Sequence, residues 1–141
     1  MSVMFRIVSV ALAVIAAAAA WAQTATTTSA GVYTAAQASR GASVYTANHC
    51  VMCHGPDLTG SDSTPPLAGN MFLADWVGQS LGDLATRIHT TMPQDNPGSL
   101  SDAEVADVIA YILQQNKYPV GTKEIPTDAA GQGAITLDQK P

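Results

Sequence analysis

The 141-residue sequence predicts an all-α chain in which three to five short helices gather around one covalently attached prosthetic group. Three observations predict it. Apolar and small residues recur at helical spacing over 38–45, 81–88 and 105–113, and each stretch follows a hydroxyl residue suited to cap a helix. The intervening stretches are rich in Gly, Pro, Ser and Asp, and none shows a strand pattern. Finally, Cys50-Val51-Met52-Cys53-His54 reads as C-x-x-C-H, the attachment signature of a c-type haem.

The motif's spacing has a mechanical meaning. One turn of backbone lets both thiols reach the two vinyl groups of one porphyrin, and the next residue then lies under the iron. Cys50 and Cys53 would become thioethers and His54 would supply the proximal nitrogen. Three other readings compete. A thioredoxin-type redox pair wants a βαβ context, which these flanks lack. A Cys50–Cys53 disulfide would close a very small loop and add little stability, since the entropic gain grows with loop length. A zinc site normally takes four ligands and would have to recruit two of His49, His54 and His89.

Taken in order, residues 1–22 read as an export signal. Arg6 is the positive n-region, Ile7 to Ala20 is apolar or small apart from one Ser, and Ala20-Trp21-Ala22 is a small-x-small cleavage site. The run falls short of the roughly 20 residues that span a bilayer, so no membrane span is expected after cleavage. Residues 23–32, a Thr/Ala/Ser/Gly stretch without periodicity, read as a flexible leader. Thr34 is the N-cap of the first helix, with Gln37 completing a capping box. Ala38, Gly41, Ala42 and Tyr45 share one face, and the helix should end near Asn48. Gly41 costs about 1 kcal/mol relative to Ala there, which makes sense if a second helix crosses close to the backbone.

Gly55 to Gly69 should be loop, punctuated by Leu58 and Leu67, and Met71 to Val77 is a short apolar segment expected to form a helical turn. Ser80 caps the next helix, Asp83 favours its first turn, and Leu81, Leu84, Ala85 and Ile88 share a face. That helix should stop by Thr90 or Thr91, because Met92 precedes Pro93 and is biased away from helix. Ser101 and Glu104 form a capping box for the clearest helix, which carries Val105, Val108, Ile109, Ile112 and Leu113 to about Gln115. Pro119 and Gly121 end it. Residues 122–141 read as an irregular tail, leaving 33–121 as one domain with one attachment motif.

The sixth iron position draws on Met92, Met71 or His89. Met92 is the best placed. It follows a helix, sits in a loop stiffened by Pro93, and lies 38 residues beyond His54, enough chain to reach the opposite haem face. Met52, locked between the cysteines, cannot reach across. A soft, neutral thioether stabilises reduced iron and raises the potential.

Charge narrows the partners. One of the six basic residues lies in the signal, so the exported chain carries five against eleven acidic ones, a net charge of −6 before haem is counted. That balance argues against nucleic acid, which wants a basic footprint. It suits a partner with a basic docking patch, reached by steering that salt weakens.

The chain from about Tyr33 to Gly121 resembles a monohaem class I c-type cytochrome. The residues carrying the resemblance are Gly41-x-x-x-Tyr45, Cys50-x-x-Cys53-His54-Gly55, Pro65-Pro66-Leu67-x-Gly69, Thr91-Met92-Pro93 and the Ala110-Tyr111-Ile112 helix. The resemblance implies a cytochrome c-like fold with its first and last helices packed crosswise. It implies a backbone carbonyl of the proline loop holding the proximal histidine's other nitrogen, that carbonyl being Pro65's, with Pro66's the alternative. Met71-Phe72-Leu73-Ala74-Asp75-Trp76, Thr90-Thr91-Met92-Pro93 and Pro97-Gly98-Ser99-Leu100-Ser101 are similar to the cytochromes that serve quinoprotein alcohol dehydrogenases. Trp76 then has two readings: an indole N–H donor to a haem propionate, or a half-buried core aromatic.

These readings converge on a monomeric periplasmic one-electron carrier rather than an enzyme, holding one haem c through Cys50 and Cys53 with His54 and Met92 as axial ligands. Its redox partners would be a periplasmic dehydrogenase as donor and a terminal oxidase or another cytochrome as acceptor. The alternative is a haem enzyme or gas-binding sensor with an open or labile sixth site. A third is a haem subunit of a larger redox complex, with the tail as an arm on its partner. Three helices of this length bury little apolar surface, so the apo form should be largely unfolded. A cooperative thermal transition in the apo chain would contradict this.

Overall fold

The computed structural model describes residues 26–139, so the expected export signal and its cleavage site lie outside the described residues. Six α-helices follow in order: α1 (Ala35–Ala47), α2 (Cys50–His54), α3 (Asn70–Trp76), α4 (Leu81–Thr91), α5 (Asp102–Gln115) and α6 (Ala129–Gly133). Two short strands, β1 (Thr26–Thr27) and β2 (Ile135–Thr136), pair in parallel. Five of the helices fall within 33–121, inside the expected range. The sixth lies in the tail.

The helix starts follow their caps. Ser80 accepts from the Asp83 N–H while the Asp83 carboxylate accepts from the Ser80 N–H, and Ser101 and Glu104 do the same for α5. Thr34 caps α1 by accepting from the Gln37 N–H, but Gln37 does not complete a box. Its side chain is buried and turns to the tail instead, donating to the Ile125 carbonyl at 3.1 Å and accepting from the Ile125 N–H at 2.8 Å. A long-range pair that satisfies two buried backbone groups outweighs one local cap. α4 stops at Thr91 with Met92 extended before Pro93.

α5 is the central element, burying Val105, Ala106, Val108, Ile109, Ala110, Ile112 and Leu113. α1 lies directly against it. A Cβ at Gly41 would run into the Asp107 carbonyl and lie 2.9 Å from the Tyr111 Cβ, so glycine is what lets the two backbones meet. Around the crossing, Tyr45 and Tyr111 pack with ring centroids 5.4 Å apart, and Arg40 clasps the buried Asp107 through two 2.9 Å bonds. The same guanidinium reaches Glu124 at the start of the tail at 2.8 Å.

The leader and tail differ from the sequence expectation. Residues 26–32, read as flexible, and 122–139, read as irregular, are joined to each other. Thr28 is fully buried and donates to Asp138 at 2.6 Å, the Ser29 N–H donates to the same carboxylate at 3.0 Å, and the β1–β2 ladder sits beside them. Gly78 and Leu137 then exchange with α4's entrance: Gly78 N–H donates to Leu137 at 2.8 Å, and Leu137 N–H to Gln79 at 2.9 Å. Ile125, Ile135 and Leu137 are buried. The tail therefore wraps its own domain. It carries no periodicity because single side chains and isolated backbone pairs hold it.

Two predictions follow from these contacts. Gly41→Ala should destabilise the folded holo protein by about 3 kcal/mol or prevent folding, because backbone cannot retreat as a side chain can; unchanged urea unfolding would contradict the crossing. Burial pushes the Asp138 carboxyl up, but hydrogen bonds from Thr28, Thr27 and Ser29 outweigh it and hold it below the ordinary 3.8. The clasp's stabilisation is therefore complete above that value and lost as pH falls through the lowered one. Amide exchange in 26–29 and 135–138 should accelerate below about pH 4, and should lose that dependence in Asp138→Asn.

Candidate functional site

The site grows from α2, the shortest stretch of helix that can carry it. His49 takes a left-handed conformation (φ 59°) as α2 begins, and Cys50, Cys53 and His54 follow within its five residues. Both cysteines are free thiols, Cys50 half-buried and Cys53 exposed. Burial pushes the Cys50 thiol up. A redox-active C-x-x-C lowers its nucleophile's pKa, and burial acts on Cys50 in the opposite direction.

His54 is buried, and its ring Nδ1 lies 2.9 Å from the Pro65 carbonyl oxygen. A carbonyl can only accept, so Nδ1 carries a proton, and in the neutral ring the lone pair then stands on Nε2. Nε2 has no hydrogen-bond partner among the described residues. The backbone around the ring is fixed as well. The His54 carbonyl accepts from the Gly60 N–H at 2.9 Å, and the next carbonyl, Gly55, accepts from the buried Tyr45 hydroxyl at 2.6 Å. Burial raises the Tyr45 phenol, with Cys50 adding to the effect, so the hydroxyl stays a donor.

Gly60 is where the two strands of the loop touch. With φ 70°, its backbone lies against the Pro65–Pro66 peptide, and a Cβ there would sit 2.8 Å from both the Pro65 carbonyl carbon and the Pro66 nitrogen. Further along, Leu67 and Ala68 donate their N–H groups to the Leu58 carbonyl at 2.8 and 3.2 Å. Leu58 is fully buried, and Leu67 is half-buried against the core.

Met92 stands at the C-cap of α4, half-buried and packed against the core. Trp76, the last residue of α3, is half-buried, pairs with Phe72 at 6.4 Å between ring centroids, and lines a groove with Arg87, Thr90 and Thr91. Its indole N–H has no hydrogen-bond partner among the described residues. Of the other axial candidates, Met71 is 68 % exposed. His89 turns toward the tail, 4.0 Å from Asp102 in a cleft shared with Asp128 and Gln132. The structure thus brings Cys50, Cys53, His54 and Pro65 together, and places Met92 and Trp76 on separate elements at the half-buried margin of the core.

Sequence reasoning missed three contributors: Tyr45 as a hydrogen-bond donor, Gly60 and Asn116. The first two had a faint signal, a tyrosine and a glycine flanking the motif, but neither partner is readable without the chain path.

The donor set fits a haem c. An imidazole oriented through Nδ1, two unpaired thiols on the same helical turns, and half-buried Leu67, Trp76 and Met92 are the groups that covalent attachment, axial ligation and a porphyrin face would use. Tyr45→Phe, which leaves the Gly55 carbonyl without its donor, should cost about 1–2 kcal/mol in urea unfolding. A cost near zero would show that the hydroxyl does not hold the loop.

Residues 36–112 match the family model described as cytochrome C oxidase, cbb3-type, subunit III. No curated protein and no solved structure matches the chain.

Proposed function

The chain belongs to this family of c-type cytochromes, and from that premise we infer that it is an exported one-electron carrier holding one haem c between His54 and Met92. The observation that carries the reading is the buried His54 ring, whose Nδ1 is engaged at 2.9 Å by the Pro65 carbonyl and whose Nε2 is left as the free donor beside two unpaired thiols.

Cys50 and Cys53 would hold the haem through thioether bonds, each thiol adding its sulfur and its hydrogen across one vinyl group so that no oxidant would be needed, and His54, on the same turns of helix, would supply the proximal nitrogen. When bound, the haem supplies a couple that cycles between ferrous and ferric iron. The Pro65 carbonyl holds the imidazole's orientation and raises its basicity, while the neutral Met92 thioether favours the reduced state. With His54 and Met92 both placed by the fold, little of the chain would have to rearrange on electron transfer.

Partner choice rests on charge and on the resemblance of the Met71–Trp76 and Thr90–Ser101 segments to cytochromes serving quinoprotein alcohol dehydrogenases. A periplasmic dehydrogenase of that kind is the proposed donor, and a terminal oxidase or another cytochrome the acceptor. Arg40 is already engaged by Asp107 and Glu124, a cluster that itself carries one positive charge against two negative ones. Docking to a basic patch would be brief and salt-sensitive. No helix among the described residues is long and apolar enough to cross a membrane.

The test is the covalent haem content of the exported protein and its reactivity. Mass spectrometry under denaturing conditions should find haem on the wild-type chain and none on the Cys50→Ser/Cys53→Ser double variant. Electron uptake from a basic redox partner should slow steadily as ionic strength rises. A wild-type chain exported without covalent haem would overturn the reading.

A further inference from the structure

Asn116 is 1 % exposed, yet it is not part of the attachment motif, the proline loop or any helix face. It caps the C-terminus of α5, and its side chain makes three hydrogen bonds. Nδ2 donates to the Leu67 carbonyl at 2.9 Å and to the Ile112 carbonyl at 2.9 Å. Oδ1 accepts from the Gly69 N–H at 3.0 Å. Every donor and acceptor position this amide uses is matched to backbone, so its orientation is fixed.

Two of those three bonds fall on the loop that carries Pro65. The loop is gripped from one side by the Leu58 carbonyl, which takes the Leu67 and Ala68 N–H groups, and from the other by Asn116, which takes the Leu67 carbonyl and the Gly69 N–H. The grip begins two residues beyond the carbonyl that engages His54 Nδ1. Asn116 itself is anchored to α5, the most deeply buried helix, through Ile112.

We propose that Asn116 is a positioning residue for the proximal histidine: it fixes the Pro65 carbonyl against His54 Nδ1–H and so tunes the electron-donating strength of His54 Nε2 and the reduction potential. The inference rests on the reading of His54 as the proximal ligand. A firm Nδ1–H to carbonyl bond gives the ring partial imidazolate character, which favours the ferric state. When the loop loosens, that character falls and the potential rises.

Asn116→Leu keeps the size of the side chain and removes all three hydrogen bonds without adding a charge. The holo variant should show an upward shift in reduction potential, and NMR of the reduced protein should show the His54 Nδ1–H exchanging at least about tenfold faster. Gln37→Leu is the matched control, since it removes a buried two-bond contact to Ile125 away from the loop; it should lower thermal stability and leave both readouts unchanged. If Asn116→Leu leaves the potential and the exchange rate as in the wild type, or if Gln37→Leu shifts them equally, the proposal is overturned.

Should Asn116→Leu fail to fold, native-state exchange on the wild-type holo protein decides. The Gly69 amide and the His54 Nδ1–H should open together with one protection factor, and a Gly69 amide exchanging independently of His54 would refute the coupling. Loss of the axial histidine signature in the wild type itself would instead refute the ligation reading on which the proposal stands.

Discussion

The close approach of α1 and α5 at Gly41 is the constraint on which the rest depends. Because no Cβ stands between Gly41 and the Asp107 carbonyl, the two helices cross backbone to backbone. Each helix then continues to one side of His54. α1 runs on to Tyr45, whose hydroxyl pins Gly55, the residue after the histidine. α5 runs on to Asn116, whose amide pins the loop that presents Pro65. A change in the crossing would move the two clamps relative to each other. The imidazole between them, buried and bonded through one nitrogen, has no independent means of keeping its orientation.

The leader and tail extend the same scaffold. Val32 and Tyr33 are buried, Tyr33 donates to the Tyr118 carbonyl at 2.7 Å, and Arg40 bridges α1, α5 and the tail's first residues. The tail then lays α6 against α4, where a Cβ on Gly82 would stand 3.1 Å from the Gly133 nitrogen. Since Met92 caps the end of α4, the tail braces the helix that positions Met92. An arm reserved for a partner would not bury Ile125, Ile135 and Leu137 in its own chain.

Much of this was legible in the sequence because it obeys local rules. The capping pairs Ser80/Asp83 and Ser101/Glu104 mark helix starts within three residues of chain, the Met92-Pro93 step marks a stop, and Gly41 among small and aromatic residues at helical spacing announces a crossing. The C-x-x-C-H spacing is legible without reference to anything distant. What stayed hidden depends on partners far along the chain. Gln37 has the right spacing for a capping box, but its amide meets a backbone pair 88 residues away. Asn116 reads as an unremarkable residue after a helix, and Thr28 and Asp138, 110 residues apart, carry no period at all. Isolated polar side chains that satisfy buried backbone leave no pattern in sequence, and they are what hold the loops of this fold.

The most direct test of the central claim is the visible spectrum of the purified, exported protein in the oxidised state, the reduced state, and the reduced state under carbon monoxide. A histidine fixed through Pro65 and a methionine delivered by α4 predict low-spin iron in both states, the weak long-wavelength sulfur-to-iron band on oxidation, and no response to carbon monoxide. Met92→Ala should abolish that band and bind carbon monoxide. High-spin iron, or ready carbon monoxide binding by the unaltered chain, would contradict the account and return Met92 to an ordinary loop residue.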